Sequence, residues 1–237
     1  MNFSEGQEIY SRRLKEVLGL EKSPVAITFS KRPANKANTE RYRVCGAIQA
    51  AASGSIINLS KENSSCRGGT TYLGLGPQRE RVEEFLVYGE KLSCSLATAR
   101  RAITYINKKA PPPLGLAEYV VFSPLEKAEL EPDLVLFLCN PEQACRLITL
   151  ARYREGVLPQ NEFGGALCWS TITYPLITGN INVSLGDHVA REIEHWKPEE
   201  LAVTVPAHKL HQIVESIDYS TAGVAKPSKE YEELLEE

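Results

Sequence analysis

The sequence predicts an α/β or α+β protein in which a mixed β-sheet is layered with helices, in two closely packed halves. Two observations support this class. Segments with apolar residues at helical spacing alternate along the chain with short runs of β-branched and aromatic residues. In the second half, a strand followed by a proline and then a helix occurs twice. Strands that alternate with helices are typical of a sheet covered by helices.

The first half of the chain carries six predicted elements. Periodic apolar residues predict helices over residues 4–19, 78–88 and 92–106, and Gly19 is a plausible end for the first of them. Apolar runs predict strands over residues 25–29 and 56–59. Between these strands, Cys45 begins a helix of small residues, which would allow another backbone or a ligand to approach closely.

The second half has a more regular order. Strands are predicted over residues 118–122, 133–138 and 201–206, and the continuous apolar run at 133–138 indicates burial on both faces. Asn140 as N-cap and Pro141 at the first helical position predict a helix that reaches residue 150, and another helix follows at 207–217. Cys139 and Cys145 are accordingly predicted to be core residues. Residues 228–237 predict an acidic helix or a frayed end.

A stiff segment divides the chain. Two lysines and three prolines between residues 108 and 113 mark a boundary between an N-terminal half, 1–110, and a C-terminal half, 114–237. The alternative is one continuous domain.

Composition excludes several classes of protein. The 237 residues carry a formal net charge of −3, which argues against nucleic-acid or anionic-membrane binding. No apolar run approaches the ~20 residues that span a bilayer. The charged, amphipathic N-terminal segment does not predict a secretory signal, so we expect a cytoplasmic protein. In that reducing compartment the six cysteines are not expected to form a disulfide framework.

The most informative stretch begins at Cys66. Arg67 and the paired glycines Gly68 and Gly69 follow this cysteine directly. The two glycines can adopt positive φ angles and expose backbone N–H groups, so the stretch predicts a turn that could hold a metal or an anion. The alternative is a tight turn with one inert, buried cysteine. Paired glycines also precede Cys168, so each half of the chain carries such an arrangement.

Other chemistries find little support. No pair of cysteines has the C-x-x-C spacing of a zinc ribbon, so spacing alone does not establish a metal site. The chain contains no nucleophile elbow, no phosphate-binding P-loop and no dinucleotide fingerprint. Asp187 and His188 are adjacent and would face opposite ways in a strand, which disfavours a catalytic pair.

Motifs along most of the chain resemble those of a known family. The matching positions are Cys45 with the small residues to Ala51, Cys66 with Gly68, Gly69, Leu73 and Gly74, Pro132 to Phe137 with Asn140 and Pro141, Cys168, Pro175, Ser184 to Gly186 with Arg191, and Val205 with Pro206. With these features the chain resembles the domain-of-unknown-function 169 family, which occurs mainly in anaerobic bacteria and archaea. The activity of that family is not established.

The resemblance implies a candidate set of ligands. It points to Cys45, Cys66 and Cys168, with Asp187 at a position where relatives often carry a further cysteine. Three thiolates with an oxygen ligand or an open position would suit a [4Fe–4S] cluster or another soft-metal site. If so, the three cysteines converge in space and Gly68, Gly69 and Gly165 line the same cavity, with Arg67 beside them.

Three functions therefore remain open from the sequence. The first is a cytoplasmic iron–sulfur or other thiolate–metal protein, possibly redox-active, with a small-molecule ligand or a redox partner. The second is a thiol-dependent enzyme with Cys66 as nucleophile and His188 as the only candidate base. The third is a small-molecule binding protein with structural cysteines. Cys94 could complete the metal site or face solvent, and the oligomeric state is left open.

Overall fold

A six-stranded antiparallel sheet lies at the centre of the computed structural model, which describes residues 3–194 and 196–229. The strands are β1 (Val25–Ser30), β2 (Ile57–Leu59), β3 (Tyr119–Pro124), β4 (Leu134–Cys139), β5 (Asn182–Ser184) and β6 (Leu201–Pro206). Their order across the sheet is β2-β3-β1-β4-β6-β5. Strands from both predicted halves thus share one sheet.

All five pairings between these strands are antiparallel. In the register of the two central pairs, Ile27 lies opposite Leu134, and Leu136 lies opposite Thr204. The predicted class of a sheet layered with helices is confirmed. The sheet was expected to be mixed, whereas the pairings between its described strands are all antiparallel. Of the two classes predicted, this pairing favours α+β.

Helices cover both faces of the sheet. The α-helices are α1 (Phe3–Leu18), α2 (Val44–Ala52), α3 (Arg67–Tyr72), α4 (Val82–Glu84), α5 (Leu96–Lys109), α6 (Pro141–Arg152), α7 (Tyr174–Thr178), α8 (His188–Ile193) and α9 (Leu210–Ser216). Within the described residues, π-helical segments occur at Phe85–Gly89 and Trp169–Thr173, and 3₁₀ segments at Leu125–Lys127 and Ala207–Lys209.

Alternation along β4 separates two cores. Leu134 and Leu136 belong to the core on the first face, with α2 and the segment around Cys168. Val135 and Phe137 belong to the core on the second face, with α1, α6 and α9. Because side chains alternate between faces along a strand, a strand buried on both sides is apolar at every position. The prediction that this strand is buried on both faces is confirmed.

Local signals in the sequence account for several boundaries. Gly19 has a φ of 64°, so α1 ends at Leu18 where a left-handed residue follows. The side chain of Asn140 accepts the N–H of Gln143, whose own side chain accepts the N–H of Asn140 in return. Such a capping box satisfies two N–H groups that a helix start leaves free.

The predicted helices at 78–88 and 92–106 differ from those observed. The first consists of α4 followed by π-helical Phe85–Gly89. The second begins only at Leu96, because the hydroxyl of Ser95 accepts the N–H of Thr98 and caps the helix there.

The two cysteines that were predicted to be core residues have different environments. Cys139 is buried in the core on the second face, as predicted. Cys145 is exposed, so its predicted inward position is wrong. The inner side of α6 carries Ala144, Leu147 and Leu150. Position 145 lies about 100° around the helix from position 144 and therefore faces outward.

Two further features complete the description. Most of the predicted acidic tail, residues 230–237, lies outside the described residues. Among the residues that are described, no helix combines the length and the apolar composition needed to cross a membrane.

Candidate functional site

Cys66 lies at the start of a short helix rather than in a turn. It is the N-cap of α3, and its Sγ accepts the N–H of Gly69 at 3.4 Å. Neither Gly68 nor Gly69 has a positive φ, so the prediction of a left-handed glycine turn is wrong. The sulfur satisfies one of the N–H groups that the start of α3 would otherwise leave without a partner, and both glycines lie in the first turn of that helix.

The second glycine is needed for close packing. A Cβ added to Gly69 would lie 2.6 Å from Val44 Cγ2 and 3.6 Å from Cys168 Sγ. A Cβ added to Gly68 would meet only Cys66 Sγ, at 3.9 Å. The absence of a side chain at Gly69 therefore lets α3 approach both α2 and Cys168.

The three predicted cysteines lie together on the first face of the sheet. Cys45 is the second residue of α2 and Cys168 directly precedes π-helical Trp169–Thr173, and each is only 8% exposed. Cys66 is half-buried. Gly69 lies between Cys66 and Cys168, since its N–H donates to Cys66 Sγ and its Cα faces Cys168. We call Cys45, Cys66 and Cys168 the thiol cluster.

The cluster is electrostatically coupled. Burial and, after it, negative charge on Glu194, Asp187 and Cys66 together raise the pKa of Cys45 to about 12. Burial also raises the pKa of Cys168, followed by the effects of Cys66, Cys45 and Asp187. Asp187 contributes to the raised pKa of both buried thiols, so the structure brings it into the same region as the cluster. At neutral pH, Cys45 and Cys168 are neutral thiols in the absence of a cation.

Asp187 has a clear structural role. It is the N-cap of α8, where its Oδ1 accepts the N–H of Ala190 at 2.7 Å. Its Oδ2 accepts the N–H of Leu167 at 2.9 Å. The carboxylate thus ties the start of α8 to the residues just before Cys168.

Replacement of Asp187 by alanine should therefore be costly. We expect Asp187→Ala to lower the free energy of unfolding by about 2 kcal/mol, because two backbone amides lose a charged acceptor. Urea denaturation measures the change. Asp218→Ala is the matched control, since Asp218 is half-exposed in a surface pair with Arg13, which is worth at most about 1 kcal/mol. Equal losses in the two variants would contradict this role for Asp187.

The structure adds two side chains that the sequence did not single out. Glu194 lies over Gly46, where an added Cβ would be 2.6 Å from Glu194 Oε2. Its other carboxylate oxygen is 4.0 Å from Arg43 Nε. Burial and, after it, negative charge on Cys168 together raise the pKa of Tyr72 to about 12. In the sequence, the run of small residues after Cys45 predicted that another group approaches this helix closely, but it did not identify Glu194 as that group.

Three other predicted site residues do not take part in the cluster. Gly165 is exposed and an added Cβ would have no atom within 4 Å, so this glycine does not serve a close approach. That role belongs to Gly164, where a Cβ would lie 2.4 Å from Trp169 Cε3. Cys94 is exposed and contacts Thr98. Arg67 is exposed at the edge of an open groove.

The arrangement gives no support to a nucleophilic Cys66 activated by His188. The ring of His188 is 70% exposed and its Nε2 lies 3.2 Å from Glu192 Oε1 on the same helix. Cys66 and His188 are both described, and no hydrogen bond joins them. Across the described part of the chain, no three or more His, Cys, Asp or Glu side chains are already arranged to hold a metal ion.

Comparison with the sequences of known proteins assigns the chain to a family. A sequence model of the uncharacterised ArCR family, domain of unknown function 169, matches residues 13–216. An uncharacterised protein of Methanocaldococcus jannaschii, MJ0308, is 33% identical over 101 residues, which are 42% of this chain and 43% of that protein. The match thus spans less than half of the relative. No solved structure matches the chain. The chain belongs to the ArCR family.

Proposed function

We propose that this member of the ArCR family binds a soft metal ion or an iron–sulfur cluster, a [4Fe–4S] cluster being the foremost candidate. Its ligands would be the thiolates of Cys45, Cys66 and Cys168. The observation that carries the proposal is the gathering of three thiols from three separate segments, two of them buried. Gly69 contacts Cys66 and Cys168, and Cys45 directly follows Val44, against which Gly69 also packs. Thiolates are the ligands that iron–sulfur clusters and soft metals prefer.

The electrostatics of the cluster support a cation. In the protein alone, burial raises the pKa of Cys45 and of Cys168, and neighbouring negative charge, that of Asp187 included, adds to the effect at both thiols. A positive charge among them would reverse this effect, because it stabilises the thiolate form of each sulfur. A bound iron–sulfur cluster would supply one-electron transfer there.

The fourth ligand would be a carboxylate oxygen or an open position. Asp187 is the candidate from the sequence, but both of its oxygens already accept backbone N–H groups. Glu194 is less constrained, since the ion pair that it forms, with Arg43, is long at 4.0 Å. A carboxylate oxygen has more than one lone pair, so the hydrogen bonds of Asp187 do not prevent it from binding a metal.

Anaerobic purification and reconstitution test the proposal. After incubation with Fe²⁺ and sulfide, and separately with Co²⁺, we expect the protein to retain the metal in a fixed ratio after gel filtration. Thiolate-to-metal charge-transfer absorption should accompany it. Cys45→Ser, Cys66→Ser and Cys168→Ser should each reduce this signal, and the triple variant should lose it.

Two exposed cysteines serve as controls. Cys94→Ser and Cys145→Ser remove thiols that lie outside the cluster, so both variants should retain metal like the unaltered protein. Thermal unfolding of every variant without metal establishes that it folds. A colourless protein without retained metal in either incubation would refute the proposal, as would equal losses in the control and cluster variants.

A further inference from the structure

An open groove lies next to the thiol cluster and is not part of it. It encloses about 540 Å³, which is within the ~300–1,000 Å³ range of small-molecule sites. Its walls include Arg67 from α3, Arg79 and Arg81 from the following loop, and Phe85 and Tyr88 from the π-helical segment. The groove therefore combines guanidinium groups with aromatic rings.

The arginines are not equally engaged. Arg81 forms an ion pair with Glu84, which also lines the groove. Arg79 stacks on Phe85, with its Cζ 4.0 Å from the ring centroid. The side chain of Arg67 is exposed and makes no hydrogen bond or ion pair with any residue in the described parts of the chain.

The charge of the lining is positive after these pairings. Once Arg81 and Glu84 neutralise each other, the charged side chains left in the lining are the cations of Arg67 and Arg79 and the anion of Glu80. An exposed guanidinium without a partner is a good binding site for a carboxylate or phosphate, because its N–H groups form a planar fork that can donate to two oxygens. The groove is thus complementary to an anion.

The aromatic side chains suggest the other part of the ligand. Tyr88 is 69% exposed, so its ring offers a free surface for stacking. The ring of Phe85 is held close to Gly89, where an added Cβ would lie only 2.9 Å from Phe85 Cδ2. The backbone here is unusual, since Arg81 has a φ of 55° and Phe85–Gly89 is π-helical. Such departures from regular backbone are concentrated at functional sites.

We propose that this groove binds a small organic anion that has a planar ring and a phosphate or carboxylate group. The charged group would lie between Arg67 and Arg79, and the ring would stack against Tyr88. Because Arg67 directly follows Cys66, the ligand would be bound beside the thiol cluster. The proposal does not depend on a metal in that cluster, since its evidence comes from other residues.

This proposal is tested by measuring the binding of four probes to the metal-free protein at low ionic strength. NMR titration monitors the binding of each probe. AMP and 1-naphthoate combine a ring with a phosphate or a carboxylate, whereas adenosine has the ring alone and inorganic phosphate the charge alone. We expect saturable binding of AMP, of 1-naphthoate or of both, at least about tenfold tighter than that of adenosine and inorganic phosphate. The stronger of the two identifies the charged group. Added salt should weaken this binding.

Variants locate the site. Arg67→Gln and Arg79→Gln should each weaken binding of the preferred probe by about tenfold or more. Arg67→Lys should recover only part of the affinity, because lysine keeps the charge but not the planar fork. Arg152→Gln is the matched control, an exposed arginine at the end of α6 on the second face. The proposal is overturned if neither ring-bearing anion saturates, if adenosine binds as tightly as AMP, or if Arg67→Gln behaves like Arg152→Gln.

Discussion

Raising the pH from 9 to 11 is expected to lower the free energy of unfolding of the metal-free protein by several kcal/mol. Burial raises the pKa of Cys45 and of Cys139 to about 12, and raises that of Cys168 as well. The ordinary value of such a thiol is 9.0. Between these values the unfolded chain loses protons that the folded protein retains, so each thiol contributes about 1.4 kcal/mol of lost stability per pH unit.

Stability falls with rising pH because the pKa values of the buried thiols are higher in the folded protein than in the unfolded chain. The contribution of these thiols to stability is fully present below pH 9 and is lost as the pH rises toward 12. Urea denaturation at a series of pH values measures it. Tyrosine and lysine side chains have ordinary pKa values in the same pH range. The contribution of the cysteines is therefore measured as the difference between the pH profiles of cysteine variants and that of the unaltered protein.

Cys139 gives the cleanest variant because it lies outside the thiol cluster. Cys139→Ala should be less stable at pH 8, since it leaves a small cavity, but its stability should fall less steeply above pH 9. Cys145→Ser should leave the slope unchanged, because this thiol is exposed. Parallel pH profiles for Cys139→Ala and the unaltered protein would contradict the prediction.

The second prediction concerns the two glycines that follow Cys66. We expect Gly69→Ala to lower the free energy of unfolding by about 1–3 kcal/mol, because the new Cβ would overlap Val44. Val44 is fully buried and β-branched, so its Cγ2 cannot easily move aside. The same methyl would lie at an ordinary contact distance of 3.6 Å from Cys168 Sγ. A shift of α3 away from Val44 would, however, also move Cys66 relative to Cys45, so Gly69→Ala should weaken any metal binding by the cluster.

Its neighbour provides the matched control. Gly68→Ala should raise the free energy of unfolding by about 0.5–1 kcal/mol, because alanine favours a helix more than glycine does. The added Cβ would meet only Cys66 Sγ, at an ordinary contact distance of 3.9 Å. Chemical denaturation of the two variants side by side measures both effects. Equal stability of the two proteins would show that Gly69 is not needed for the approach of α3 to α2.

Much of the fold could be predicted because it depends on short-range patterns. Gly19 ends α1 and Asn140 begins α6 through interactions within a few residues. The apolar run before Asn140 forms a strand buried on both faces, as its composition indicates. Cys145 shows the limit of such patterns, since a difference of one position turns a helical side chain by about 100° from core to solvent.

The sequence by itself determined the elements, the class of the fold and the cysteines that merit attention. Cys66 and Cys168 were each marked by neighbouring glycines, although only the tertiary structure shows that Gly69 serves both of them.

Which groups meet around the thiols was decided by the tertiary structure. Glu194 reaches Gly46 and Tyr72 approaches Cys168 across long separations in sequence, for which no local pattern exists. The groove at Arg67 likewise depends on where the π-helical segment packs. The physical reason is that close approach of distant segments is set by the packing of whole elements on the sheet, whereas helix caps and strand burial are set by neighbouring residues.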